Sequence, residues 1–158
     1  MEAGMADVGD VLADFELPLH DGGTFRLAEH AGKPGVIFFY PKADTPACTQ
    51  EAIDFSAAAA AFAAKGAWML GVSRDPVKAN AKFAGKYTLT VPLGSDAEGG
   101  ISDTLGVWVE KSMYGKKYMG LDRATFLVGP DHRIAAVWRK VKVAGHVGAV
   151  LAELDRLA

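Results

Sequence analysis

The sequence predicts an α/β fold, a central mixed sheet flanked by helices and preceded by an N-terminal β-hairpin. Three observations predict it. Residues 36–40 and 67–73 are continuous apolar runs, each followed by a helical segment that opens on a proline, the pattern of buried parallel strands with helical crossovers. Residues 124–128 and 134–138 are short apolar runs on either side of Gly129-Pro130-Asp131 and read as an antiparallel hairpin. The chain has 158 residues, 50% of them hydrophobic and 23% charged, the balance of a single globular domain over 1–158.

Taken in order, residues 1–10 read as a polar lead-in, loose over 1–8. Phe15-Glu16-Leu17 and Thr24-Phe25-Arg26-Leu27 alternate apolar and polar around the turn residues His20-Asp21-Gly22-Gly23, which gives the β-hairpin. Pro41 ends the 36–40 strand, and 41–46 forms a short loop. A helix is expected over 46–65, with Thr45 as N-cap and Pro46 at its first position. Alanine dominates its body, Ile53, Phe55 and Phe62 are its core candidates, and Gly66 closes it. After the 67–73 strand, residues 75–86 read as a second helix with Pro76 at its first position. Residues 91–93 read as a short strand and 99–105 as a short helix. Residues 145–157 form an amphipathic helix presenting Val147, Val150, Leu151 and Leu154. The order (β-hairpin, β, α, β, α, β, β-hairpin, α) is that of a thioredoxin-like layered sheet.

Composition excludes several functions. The net charge is −2 and the pI about 6.1, whereas a dedicated nucleic-acid binder is usually basic. Lys111, Lys116 and Lys117 interleave with Tyr114 and Tyr118, but no nucleic-acid partner is expected on this acidic balance. The longest apolar stretch, 57–64, is far short of the roughly 20 residues a membrane span needs. The first residues carry neither a basic segment nor an apolar one, so a cytoplasmic protein is expected. His20, His30, His132 and His146 are scattered without metal-ligand spacing, and neither metal nor organic cofactor is expected. The glycine-rich stretch 94–100 lacks the Gly-Lys-Ser/Thr ending of a phosphate loop and reads as a turn.

Cys48 is the single cysteine. It falls at the third position of the 46–65 helix, after a polar, proline-flanked loop. Partial positive charge and free N–H groups at a helix N-terminus favour the thiolate, which makes a reactive thiol the better reading over a structural one. The dithiol pattern Cys-x-x-Cys is absent, because Thr45 occupies the first position of Thr45-Pro46-Ala47-Cys48. A Cys–His hydrolase would need His132 or His146 beside the thiol, and nothing in the sequence places one there.

The string Phe39-Tyr40-Pro41-Lys42-Ala43-Asp44-Thr45-Pro46-Ala47-Cys48-Thr49-Gln50-Glu51 resembles the active-site motif of the peroxiredoxins, in the PrxQ or bacterioferritin comigratory branch. The resemblance runs nearly end to end. It includes Gly9-Asp10 with Phe15-Glu16-Leu17-Pro18, the segment Lys111 to Phe126 around Arg123-Ala124-Thr125-Phe126, Val137-Trp138-Arg139-Lys140-Val141, and Gly145-His146. It implies a thiol peroxidase for hydrogen peroxide and alkyl hydroperoxides. Cys48 would attack a peroxide oxygen and become a sulfenic acid. Thr45 would contact thiolate and peroxide, Arg123 would polarise both, and Pro41 would shield the pocket from water. Ionisation alone is a modest part of such catalysis. A thiol of ordinary pKa, about 8.5, is roughly 3% thiolate at pH 7, so complete ionisation gains about 30-fold. Glu51 reads equally well as a partner for an arginine or as a first-turn glutamate complementing the helix dipole.

The chain departs from the family at the second cysteine. The two places where relatives often carry a resolving cysteine hold Ile53 and, in the next helix, Ala84. A one-cysteine enzyme is therefore implied, monomeric or weakly dimeric, resolved by an external thiol such as thioredoxin or glutaredoxin with glutathione. Engineered replacement of a cysteine at Ala84 is the other explanation the sequence leaves open. A non-catalytic redox sensor or holdase, using the same thiol while exposed, is the alternative function.

Overall fold

A computed structural model describes residues 6–157 of the chain. The hairpin expected at the N-terminus is β1 (Glu16–Pro18) paired antiparallel with β2 (Thr24–Arg26). The central sheet comprises β3 (Gly35–Phe39), β4 (Trp68–Ser73), β5 (Leu93–Ser95), β8 (Ala124–Val128) and β9 (Ile134–Trp138). Its spatial order is β5-β4-β3-β8-β9. The β3–β4 and β4–β5 pairs are parallel, and β3–β8 and β8–β9 antiparallel, so the sheet is mixed as expected. The helices are α1 (Pro46–Ala57), α2 (Ala59–Ala64), α3 (Val77–Tyr87), α4 (Gly100–Thr104) and α5 (His146–Leu157).

Strand periodicity divides the core into two layers. Ile37 and Phe39 of β3 and Ala124, Phe126 and Val128 of β8 point to one face, where they meet Leu17, Phe25 and Leu27 of the N-terminal hairpin region. Val36, Phe38 and Tyr40, with Leu127 of β8, point to the other face. There they meet Cys48, Ala52 and Phe55 of α1 and Val150 and Leu154 of α5. The Phe38 and Phe55 rings stack 4.3 Å apart, which fixes α1 on the sheet. Both faces of β3 are dry, which explains the unbroken apolar run that marked it in the sequence.

Several expectations are corrected. The 46–65 helix is interrupted at Ala58. Ser56 is engaged by the next crossover: its hydroxyl accepts from the Thr90 and Val91 N–H groups, and its carbonyl accepts from the Thr90 hydroxyl at 3.3 Å. That carbonyl is the one a continuous helix would offer to residue 60. Phe55 and Phe62 are fully buried, whereas Ile53 is 37% exposed and leaves the core list. Pro76 is the N-cap of α3 rather than its first helical residue. The strand expected at 91–93 is displaced to β5, because Pro92 has no N–H and the ladder to β4 runs from Leu93 to Ser95. The glycine-rich stretch contains most of β5 and the start of α4, where Asp96 accepts from the Gly100 and Ser102 N–H groups.

A third hairpin was not expected: β6 (Trp108–Met113) with β7 (Lys116–Leu121), joined by Tyr114 and Gly115, both at positive φ. Much of it is exposed, with Tyr114 at 98%, so it lacks the period-2 apolar signal of a packed strand. The lead-in is tied down in its described part: Gly9 N–H donates to Ile134 O, Ile134 N–H to Asp10 O, and Arg139 to Ala6 O. Residues 1–5 lie outside the described residues.

Gly35 opens β3 opposite Trp68 of β4, and a Cβ there would overlap the indole ring. Gly35→Ala is expected to destabilise the protein by on the order of 3 kcal/mol, read as a lower urea midpoint at unchanged slope. An unchanged midpoint would show that Trp68 moves aside freely.

Candidate active site

The antiparallel register of β3 and β8 builds the site. Phe39 faces Ala124, so Arg123 arrives beside the C-terminal end of β3, where the chain leaves the sheet for α1. Residue 123 also has the parity of Thr125 and Leu127, which puts its side chain on the α1 face of the sheet. Cys48 is at the third position of α1, below the same strand end. The two side chains meet there: Arg123 Nη2 donates to Cys48 Sγ at 3.3 Å. One turn further along α1, Glu51 Oε1 accepts from Arg123 Nη1 at 3.0 Å. The guanidinium thus spans two acidic groups of one helix, the planar fork geometry that suits arginine.

All three groups are withdrawn from solvent. Cys48 is 1% and Glu51 0% exposed, and the Arg123 side chain is mostly covered. Glu51 Oε2 has no hydrogen-bond partner among the described residues. Burial pushes the Glu51 carboxyl up to about 7, with Arg123 opposing the rise. For Arg123, burial pulls downward, but the Cys48 and Glu51 charges outweigh it and hold the guanidinium firmly protonated. Glu51 is past the first turn of α1, so of its two readings the arginine partner is the one realised.

Thr45 caps α1 through its backbone, but not in the expected way. Its hydroxyl donates to the Lys42 carbonyl at 2.7 Å and makes no capping bond to the Cys48 N–H. The bond closes the 42–45 turn and leaves the Thr45 oxygen with lone pairs free to accept. The loop is latched from the neighbouring crossover. Ala43 N–H donates to Asp75, and Asp44, at φ +59°, accepts from Lys86 Nζ at 2.9 Å and Tyr87 OH at 2.5 Å. Pro41 lies two residues past the end of β3 and is half-buried.

Sequence reasoning missed the surrounding polar groups. Thr125 Oγ1 and His146 Nε2 are 2.7 Å apart in the interior, and His146 meets Phe55 and Trp138 edge-on. Burial and then the Arg123 charge lower the proton affinity of His146, so the imidazole is neutral at pH 7. It makes no hydrogen bond to Cys48, which removes the Cys–His hydrolase pairing; its partner is Thr125. Tyr40 OH donates to Asn80 Oδ1 at 2.6 Å, and burial pushes its phenol well above the ordinary range. The parity of Tyr40 and Thr125 with the apolar residues of their strands was the available signal. Of the two positions expected to hold a second cysteine, Ile53 is partly exposed on α1 and Ala84 is buried in α3.

A thioredoxin-like sheet bearing one thiol at a helix N-terminus, held against an arginine, defines a narrow class. The chain belongs to the AhpC/TSA family, whose model matches residues 8–137. Its similarities fall in the peroxiredoxins of the Bcp or PrxQ branch. It is 49% identical over 144 residues to Peroxiredoxin Bcp of Xanthomonas campestris pv. campestris, covering 90% of each chain. A structure of the Xanthomonas campestris bacterioferritin comigratory protein, studied for alkyl peroxide reduction, superposes with a TM-score of 0.89 at 44% identity, over 95% of this chain and 98% of that one. A cysteine-to-serine variant of Xylella fastidiosa PrxQ superposes with a TM-score of 0.92 at 36% identity, over 97% and 98%.

The raised Glu51 carboxyl carries a stability signature. The folded state binds this proton more tightly than the unfolded chain does, whose carboxyl titrates near 4.5. The group's contribution is therefore full below about pH 4.5 and lost as pH rises to about 7. Glu51→Gln removes the titration. The stability difference between wild type and variant is expected to shift against wild type by on the order of 3 kcal/mol across that window. Parallel urea-melt profiles for the two proteins would refute the assignment.

Proposed function

We propose that the chain reduces hydrogen peroxide and small alkyl hydroperoxides at Cys48 and is returned to the thiol by an external thiol donor. The observation that carries this is the Arg123 Nη2 to Cys48 Sγ contact at a helix N-terminus. The Cys48 thiolate attacks the terminal oxygen of ROOH. The S–O bond forms as the O–O bond breaks, Cys48 becomes a sulfenic acid, and RO⁻ leaves and takes a proton as ROH. A donor thiol then attacks the sulfur, releasing water and leaving a mixed disulfide, which a second thiol reduces. The donors proposed are thioredoxin or glutaredoxin with glutathione, in the cytoplasm, with the enzyme a monomer or weak dimer. Among the described residues no helix is long and apolar enough to cross a membrane.

Geometric observations support each proposed role. Arg123 holds the thiolate and faces the charge that develops on the leaving oxygen, in a site with little water to screen it. The Thr45 hydroxyl proton is committed to Lys42 O, so Thr45 acts as acceptor, taking the peroxide O–H and orienting it. Pro41 covers the strand end without adding an N–H. The Arg123 donor aimed at Cys48 Sγ favours catalysis over the sensor or holdase reading.

Steady-state turnover with a thiol donor tests the proposal: many turnovers per chain are expected, and a single stoichiometric oxidation would make the protein a sensor. Cys48→Ser is expected to abolish turnover. Arg123→Ala is expected to slow peroxide attack about 100-fold or more while the far-ultraviolet spectrum is unchanged. An undiminished rate constant in stopped-flow would remove Arg123 from the mechanism.

A further inference from the structure

Two acids share one cation in this site. Cys48 Sγ and Glu51 Oε1 both accept from the Arg123 guanidinium, and Glu51 is fully buried, its second oxygen without a partner among the described residues. An ionised carboxylate with an unpaired oxygen in the interior is costly, and it is costlier when a thiolate shares the same guanidinium. The other charged or titratable groups around the cluster offer Glu51 no relief. Asp54, on the same helix, is a further anion. His146 from α5 is neutral and bonded to Thr125, and Tyr40, just past β3, is un-ionised and bonded to Asn80. The cluster therefore accommodates one full negative charge opposite Arg123, not two.

Peroxide reduction changes which acid carries that charge. In the proposed reaction the form of Cys48 that attacks is the thiolate. Afterwards it is a neutral sulfenic acid, and Arg123 faces Glu51 alone.

We infer that Glu51 is protonated while Cys48 is a thiolate and releases its proton when Cys48 is oxidised, supplying the proton that the leaving oxygen must acquire. The inference rests on the peroxidatic role of Cys48. The step balances: Cys48–S⁻ plus ROOH gives Cys48–SOH plus RO⁻, and RO⁻ plus Glu51–COOH gives ROH plus Glu51–COO⁻. Sulfur loses two electrons, the O–O bond gains them, and no proton need be drawn from solvent. Reduction by the external thiol restores the thiolate and returns the proton to Glu51. A burial-raised carboxyl that titrates near neutrality is poised for such an exchange. The charge opposite Arg123 stays constant through the cycle, so the interior is never asked to hold two anions or an unpaired cation.

The test follows protons during one turnover. Wild type and Glu51→Gln are mixed with one equivalent of hydrogen peroxide in weakly buffered solution containing a pH indicator. The thiolate fraction is first read for each protein from its ultraviolet absorbance at the same pH, and sulfenic acid is counted by trapping and intact mass. For Glu51→Gln, proton uptake from solvent is expected to equal the thiolate fraction. For wild type, uptake is expected to fall short of that fraction by the proton Glu51 gives up. The oxidised-minus-reduced infrared spectrum of wild type is expected to lose a carboxylic-acid carbonyl band, a reading that needs no variant. Wild-type uptake equal to its thiolate fraction, with no band lost, overturns the inference while Cys48 oxidation stands. Absence of trapped sulfenic acid overturns the peroxidatic reading and the inference with it.

Discussion

The Arg123 guanidinium donates to Cys48 Sγ from one nitrogen and to Glu51 Oε1 from the other, and this contact requires chain segments about 75 residues apart to converge. Arg123 is positioned by the register of β8 against β3, and the two acids by the turn spacing of α1. Stacking of Phe55 on Phe38 holds α1 to the sheet. A one-residue slip of β8 would turn Arg123 to the opposite face and leave both acids without their cation. The apolar run of β3 and the dry faces on either side of it thus serve the chemistry as well as stability, because they fix the register.

Burial gives the site its electrostatic strength. With Cys48 and Glu51 withdrawn from solvent, the guanidinium sits at low screening, where its interaction with a facing anion is far stronger than in water. The loop that leads into α1 is fixed rather than loose: Asp44, held at positive φ by Lys86 and Tyr87, ties it to the end of α3, and Thr45 closes it on Lys42. The hydroxyl and the helix N-terminus are therefore positioned before substrate arrives.

The parts of this arrangement that were legible in the sequence are those written in local pattern. The runs at 36–40 and 124–128 announced central strands, because both their faces are buried. Thr45 and Pro46 announced the start of α1, with the lone cysteine at its third position. What was not legible depends on contacts between distant segments. The interruption at Ala58 comes from Thr90 and Val91 binding Ser56, and no local property of an alanine run predicts it. The β6–β7 hairpin escaped because exposed faces carry no apolar alternation. Thr45 was assigned a capping bond by its residue type, but its hydroxyl turned to the Lys42 carbonyl. Glu51 could be read two ways until the register of β8 brought Arg123 to it.

The central claim is that Cys48, held by Arg123, is the group that peroxide oxidises. The most direct measurement is the intact mass of the protein after one equivalent of hydrogen peroxide, with and without a sulfenic-acid trap. The account predicts a rapid single-oxygen adduct, captured by the trap and mapped to Cys48. An unmodified chain on that timescale would mean an inert buried thiol and would contradict it.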